Sequence, residues 1–296
     1  MKIEVKKIDK LKRAARIDIS GEEFLNKKKE IYQEIAKKLK TPGFRPGKVP
    51  VDVLERYHGK VLRAEFLEKT LPYYYQKALE ENNLKPAGSP RIYDVEIDEK
   101  KLSFSAEFEI QPDIELKEDD YKGIKVKTKT VVVEEIEIEK VITNLKEEVK
   151  KIIKKDLNDE GLAKWAGYPH LENFREAIRG KVYLEKLSTR RQKIENQVVV
   201  HLLGRIKIEV PDSEAKRCHK ELVDREVYAL QLRGVPQADI EKYKKDIDEK
   251  FKPIANEQVK ISYILKAIAD AELIEAGDNL GEVILGFILS QAQYEE

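Results

Sequence analysis

The apolar residues switch between a strand period and a helical one up to residue 112 and keep a helical period beyond the linker, and that contrast restricts the fold more than any other feature. Before residue 112 apolar and polar side chains alternate in two stretches, the pattern of half-buried strands. Ile3 and Val5 alternate on one arm of a hairpin over 2–8 and 12–19, with Ala15, Ile17 and Ile19 on the other. Ile92, Val95 and Ile97, followed by Leu102, Phe104, Ala106, Phe108 and Ile110, form a second hairpin. Between the hairpins the period is helical. Ser20 and Glu23 have the spacing of a capping box, Phe24, Ile31, Ile35 and Leu39 share one face, and Pro42-Gly43 read as the end of that helix. A short helix over 51–57 and a longer one from residue 60 to 83, crossing Pro72, follow. Two hairpins bracketing helices predict a small α+β domain over 1–112.

Residues 113–155 predict a linker. The part up to Val133 has almost no periodic apolar face and is expected to be extended, with one strand. A helix over 134–154 follows, in which Ile138, Val141, Leu145, Val149 and Ile152 are spaced 3, 4, 4 and 3. Residues 156–296 then predict an all-α domain. Phe174, Ala177, Leu184, Ile194, Val198 and Leu202 mark one very long helix ended by Gly204. Further helices are expected over 212–233, 237–249, 254–275 and 278–291, with Gly234 and Gly277 as stops. The apolar stripes are thin for the length of these helices, whereas compact bundles carry wide ones. Arm-like helices with a large surface are therefore expected.

Charged residues make up 38% of the chain and apolar ones 41%, so cores can form beneath a densely charged surface. Lys and Arg (57) nearly cancel Asp and Glu (56), and an electrostatic partner must be met by a local patch. Cys218 is the only cysteine, which rules out an internal disulfide and suits a reducing compartment. The N-terminal MKIEVKKIDK has no apolar core, and no run reaches the length of a membrane span. A soluble cytoplasmic protein without membrane partners is expected.

A search for catalytic chemistry finds no convincing site. His58, His170, His201 and His219 lack metal-ligand spacing, and Cys218-His219 would point to different faces of a helix. There is no glycine-rich phosphate loop, and the abundant carboxylates lie on Lys/Glu-rich faces where i,i+4 pairing explains them. The expectation is a protein that is not an enzyme and needs no cofactor or metal.

The stretch TPGFRPGKVP, residues 41–50, is different. Residues 27–48 hold eight bases, Lys27, Lys28, Lys29, Lys37, Lys38, Lys40, Arg45 and Lys48, against two Glu. This makes a basic patch in a neutral protein. An exposed Phe44 beside Arg45 suits insertion into a crevice lined by RNA phosphate or an acidic protein, and the prolines lower the entropy lost on docking. The other reading is a turn whose Phe44 folds back onto the sheet while the lysines are merely solvated.

GFRPGKVP resembles the GFRxGKxP signature of the trigger factor family, the bacterial ribosome-associated chaperones. NNLKPAGSPRI and QPDIELKEDDYKGIKVK are similar to that family's passage from ribosome-binding domain to linker. DLNDEGLAKWAGYPHLENFREAIR, RIKIEVPDSEAKRCHKEL and ISYILKAIADAEL resemble its C-terminal chaperone body. The resemblance covers nearly the whole chain, strongly over 1–125 and more loosely over 156–291. It departs from the family in two places. The linker helix runs almost directly into Leu157, leaving no room for the family's prolyl isomerase domain, and the chain stops at Glu296, where family members continue. Pro46 also stands where some members carry another base.

The resemblance implies an α+β ribosome-binding domain over 1–112, a linker strand and helix over 113–155, and a helical client-binding domain over 156–296. It implies an ATP-independent holdase without isomerase activity. Such a protein docks on the large ribosomal subunit near the exit tunnel and shields nascent or unfolded chains. Gly43, Phe44, Arg45, Gly47 and Lys48 are the ribosome-binding residues carried over. The rival readings are a chaperone or assembly factor for finished proteins that no longer uses the ribosome, and a ribosome- or RNA-binding factor without clients. Leu280, Val283, Ile284, Phe287 and Ile288 form an apolar stripe on the last expected helix. It either packs back on the 171–203 helix or is covered by a client or a second copy in a homodimer.

Overall fold

A computed structural model describes residues 1–44, 49–275 and 277–295. In chain order its elements are β1 (Lys2–Lys7), β2 (Lys12–Ser20), α1 (Glu22–Ala36), α2 (Val51–Glu81), β3 (Pro86–Ile97) and β4 (Lys101–Ile110). These are followed by β5 (Lys125–Lys127), α3 (Glu135–Ile153), α4 (Asp159–Trp165), α5 (Leu171–Arg205), α6 (Asp212–Leu232), α7 (Gln237–Ala271), α8 (Leu280–Ser290) and β6 (Gln293–Glu295). An N-terminal α+β region with a four-stranded antiparallel sheet thus precedes a largely helical region of long helices. The contacts divide into two compact units. One comprises residues 1–113 and 208–260, the other 114–207 and 261–296.

In the first unit the sheet order is β1-β2-β4-β3, antiparallel throughout. Ile17 faces Phe104 and Ile19 faces Leu102 across β2 and β4, and all four are fully buried. The alternation seen in the sequence sends these side chains to one face, where α1 and α2 cover them with Phe24, Ile35, Leu62 and Phe66. Phe66 meets Phe24 and Tyr32 edge-on, at centroid distances of 5.9 and 5.8 Å, an arrangement that adds to plain burial. α2 is two helices in one. His58 breaks it with φ −132° and ψ 19°, as the separate spacings over 51–57 and beyond residue 60 require.

Two details of α1 differ from expectation. No side chain caps its N-terminus. Ser20 is held as the last residue of β2, opposite Lys101, and Gly21 makes the corner in a left-handed conformation (φ 77°). Glu23 instead receives Lys77 Nζ of α2 at 2.7 Å. The helix also ends at Ala36, well before Pro42, and Leu39 packs on the core from outside it.

In the second unit, Ile138, Ile142 and Val149 of α3 cluster with Leu162 and Ala163 of α4 and Phe174, Ile178 and Val182 of α5. α5 continues to Ile194, Val198 and Leu202, which are buried in its second half, while Leu184, expected on the same stripe, is 65% exposed. β5 pairs in parallel with β6, a strand that nothing in the sequence announced. Back in the first unit, α7 runs through Pro253 as one helix rather than breaking between 249 and 254. Buried Ile247 and Ala255 hold the turns on either side, so a single missing main-chain hydrogen bond is tolerated.

Candidate docking loop and apolar surface

The loop after α1 is anchored at both ends. Thr41 is buried and its hydroxyl pairs with His58 Nε2 at 3.2 Å, at the kink of α2. Val49 is buried on the far side, and Pro50 accepts from the Leu54 N–H at 3.0 Å to start α2. Between the anchors the chain turns at Pro42-Gly43, where Gly43 has φ 79° and the Phe44 N–H donates to the Thr41 carbonyl at 3.2 Å. That left-handed φ is one a side chain rarely adopts. Phe44 emerges from this turn 42% exposed, so it does not fold back fully onto the sheet. Arg45, Gly47 and Lys48, the other residues assigned to docking, lie outside the described residues.

The basic patch divides in two. Lys27 pairs with Glu30 at 3.0 Å and sits over the Tyr73 ring, and Lys28 pairs with Glu55 at 3.3 Å and sits over Tyr32. These two serve the unit's own packing. Lys29, Lys37, Lys38 and Lys40 are exposed, with no ion pair among the described residues. Three of them stand at the end of α1 that leads into the loop. The sequence reading missed Val51 and Tyr57, which are 43% and 59% exposed on the short first helix of α2. They place more apolar surface just after the loop, and only the packed position of that helix distinguishes them from core residues.

Apolar surface elsewhere is spread out. In the first unit α6 and α7 are joined by Cys218 Sγ to Gln258 Oε1 at 3.5 Å and by His219 Nε2 to the Asp248 carbonyl at 2.9 Å. Cys218 and His219 therefore engage different groups, and burial pushes the thiol pKa up rather than down. Near the α6–α7 turn, Tyr228, Leu232 and Tyr243 are each more than half exposed. In the second unit Val132, Ile152, Trp165 and Leu273 are similarly open. α8 packs against α5 through Ile284 and Ile288, both fully buried. Leu280 and Phe287 are half-buried and Val283 is 42% exposed, so these three are the part of the stripe that a partner can reach. Among the described residues no helix is long and apolar enough to cross a membrane, and no cluster of His, Cys, Asp and Glu could hold a metal ion.

Two family models match this chain. The one described as bacterial trigger factor protein covers residues 1–145, and the one described as its C-terminus covers residues 170–282. A trigger factor from Aquifex aeolicus is 28% identical over an alignment of 379 positions, spanning 96% of this chain and 76% of the relative. That alignment is longer than the chain itself, so the relative carries segments without a counterpart here. A trigger factor from Clostridium botulinum is 31% identical over 62% of this chain, and this match spans only 42% of that relative. A solved trigger factor chaperone structure aligns with 93% of this chain and 87% of its own at 14% identity, with a TM-score of 0.49.

Proposed function

The chain belongs to the trigger factor family, and from that premise we propose that it is an ATP-independent holdase of the cytoplasm. It docks on the large ribosomal subunit near the polypeptide exit and shields emerging or unfolded chains. The observation that carries docking is the anchoring of the 41–50 loop. Buried Thr41 and Val49 hold its ends, Phe44 stands out between them, and unpaired lysines lie beside it. Anchored ends lower the entropy lost on binding, and Phe44 beside these cations combines an apolar plug with charge for phosphate. Gly43, Phe44, Arg45, Gly47 and Lys48 are assigned this role, and residues 1–112 form the ribosome-binding domain that presents them.

Client handling falls to apolar side chains dispersed over the helical region, reached through linker residues 113–155. Scattered exposure lets a chaperone hold unfolded segments without presenting one large patch to its own copies. Leu280, Val283 and Phe287 offer such a surface to a client or to a second copy. No prolyl isomerase activity is assigned. Only residues 154–158 separate α3 from α4, the place where the family's isomerase domain would begin.

Co-sedimentation with ribosomes, run beside suppression of aggregation of an unfolded protein, tests both halves. Wild type should pellet with ribosomes and slow aggregation, and the Phe44→Ala, Arg45→Ala variant should lose only the first property. Aggregation suppression without any ribosome binding by wild type would favour a chaperone for finished proteins. Ribosome binding without suppression would leave a factor that has no clients.

A further inference from the structure

The anchor of the docking loop also fixes an aromatic ring outside it. His58 leaves helical geometry at the kink of α2, and its Nε2 pairs with the Thr41 hydroxyl. The Thr41 carbonyl in turn accepts the Phe44 N–H. Tyr57, the residue before the kink, lies against the His58 ring at a centroid distance of 6.4 Å and a tilt of 42°. Tyr57 is therefore held at the foot of the loop that carries Phe44. The residue is nonetheless more than half exposed. It stays outside the core of its unit, and its hydroxyl meets no partner among the described residues. Its ring thus does little for the fold beyond the contact with His58.

The charge around Tyr57 is one-sided. Residues 37–64 hold eight bases against two acids, Asp52 and Glu55, and Glu55 is already paired with Lys28. Arg56 and Lys60, one residue before Tyr57 and three after it, are exposed and in no ion pair among the described residues. They add to Lys37, Lys38 and Lys40, which precede the loop. Unpaired cations therefore lie on α2 as well as at the end of α1, in a chain whose net charge is only +1. A row of this kind suits a continuous polyanion, whose phosphates recur along its length, better than the isolated carboxylates of a folded protein surface.

We propose that Tyr57 is a stacking platform for an unpaired base of ribosomal RNA, and that Arg56 and Lys60 hold phosphates next to that base. Every base has a flat face on which an aromatic ring can stack, so the contact tolerates any sequence. Bases inside a duplex are already stacked on their neighbours, and the ligand is therefore a single-stranded loop, bulge or end. A ring between two free cations supplies both kinds of contact that a single strand offers, a base plane and its phosphates. This inference rests on the docking reading and adds to it a second contact on α2, with a chemistry different from the insertion of Phe44.

Fluorescence anisotropy of the full chain with short labelled RNAs is the test. The probes are a single-stranded RNA and the same strand with abasic residues in place of its central bases, which keeps the phosphates and removes the stacking partners. Wild type should bind the intact strand about tenfold tighter than the abasic one, the size of one stacked base. Tyr57→Ala should erase that difference by weakening the intact strand alone, and Tyr57→Phe, which keeps the ring, should preserve it. Arg56→Ala and Lys60→Ala should weaken both probes and lower the salt slope by about 0.7 each. The abasic comparison uses only wild type, so it holds whatever the variants do to the fold. Equal binding of intact and abasic strands, or a Tyr57→Ala variant that binds the intact strand as wild type does, would overturn the proposal. Loss of ribosome binding by Tyr57→Ala without loss of RNA binding would place the ring on a ribosomal protein and overturn it as well. Co-sedimentation of wild type with ribosomes separates the two ideas. Pelleting that persists while the RNA results fail removes the stacking site and leaves docking, whereas a wild type that does not pellet removes both.

Discussion

Ser213, at the start of α6, donates its hydroxyl to Glu109 of β4 at 2.5 Å and its main-chain N–H to the same carboxylate oxygen at 2.8 Å. The other Glu109 oxygen takes the Asp212 N–H at 3.2 Å. A nearly buried carboxylate from the sheet thus caps a helix whose own sequence offers no side-chain cap. It satisfies donors at the helix's positive end, where an anion is favoured. Removing it in Glu109→Ala should cost about 2–4 kcal/mol, since the hydrogen bonds are made to a charge and their donors would be left without a partner. Glu109→Gln should cost less. Urea denaturation checks the energy, and hydrogen exchange of the first turn of α6 checks the place.

Gly88 should resist substitution for a related reason. It sits in β3 with φ 82°, and a Cβ there would lie 3.0 Å from Ser213 Oγ. Gly88→Ala is expected to destabilise by about 1–3 kcal/mol, from strain at a left-handed position together with displacement of Ser213. Ala at Gly59, which has open space and an ordinary φ, is the control and should be neutral or mildly stabilising.

The loop prediction is one of affinity. Truncating Phe44 should remove about 1.5–3 kcal/mol of apolar burial on the ribosome, or roughly ten- to a hundredfold in Kd. Each lost phosphate contact should flatten the dependence of log K on log salt by about 0.7–0.9. Binding that is unchanged in Phe44→Ala, Arg45→Ala across a salt series would remove the loop from docking.

Alkaline pH should loosen the first unit. Burial raises the Tyr74 and Tyr75 hydroxyls to about 12, and burial together with the Glu55 charge does the same for Tyr32. A raised folded pKa means that these tyrosines support the fold fully below about pH 10, their unfolded value. That support is lost as pH climbs through about 12. Unfolding should coincide with tyrosine ionisation at 295 nm, whereas free titration near pH 10 in the native protein would contradict the burial. Among the described residues the Tyr74 and Tyr75 hydroxyls are also buried without a hydrogen-bond partner, so Tyr75→Phe should leave stability unchanged or raise it by up to about 1 kcal/mol.

On α8 the two sides of the helix should respond differently. Ile288 is fully buried, and Ile288→Asp should cost more than about 4 kcal/mol, as for a charge placed in a core. Val283→Asp should stay within about 0.5 kcal/mol of wild type and, if a second copy covers this face, should abolish the association. Light scattering over a dilution series reads that directly. A wild type that is monomeric throughout leaves Leu280, Val283 and Phe287 to clients alone.

What the sequence determined by itself was local. Strict alternation placed Ile17, Ile19, Leu102 and Phe104 on one sheet face because side chains on a strand have a period of two. Spacings of three and four put Ile138 and Val149 on the inner side of α3. The TPGFRPGKVP motif marked the loop and the family, since prolines and glycines encode a turn within a few residues. The rest depended on partners distant in the chain. Ser20 was kept from capping α1 by its pairing with Lys101, Leu184 was left in solvent because no described element covers it, and Pro253 was absorbed by packed turns around it. The pairing of β5 with β6 and the capping of α6 by Glu109 join residues more than a hundred positions apart. No local period records such a contact, because its free energy exists only once both partners have been brought together by the packing of everything between them.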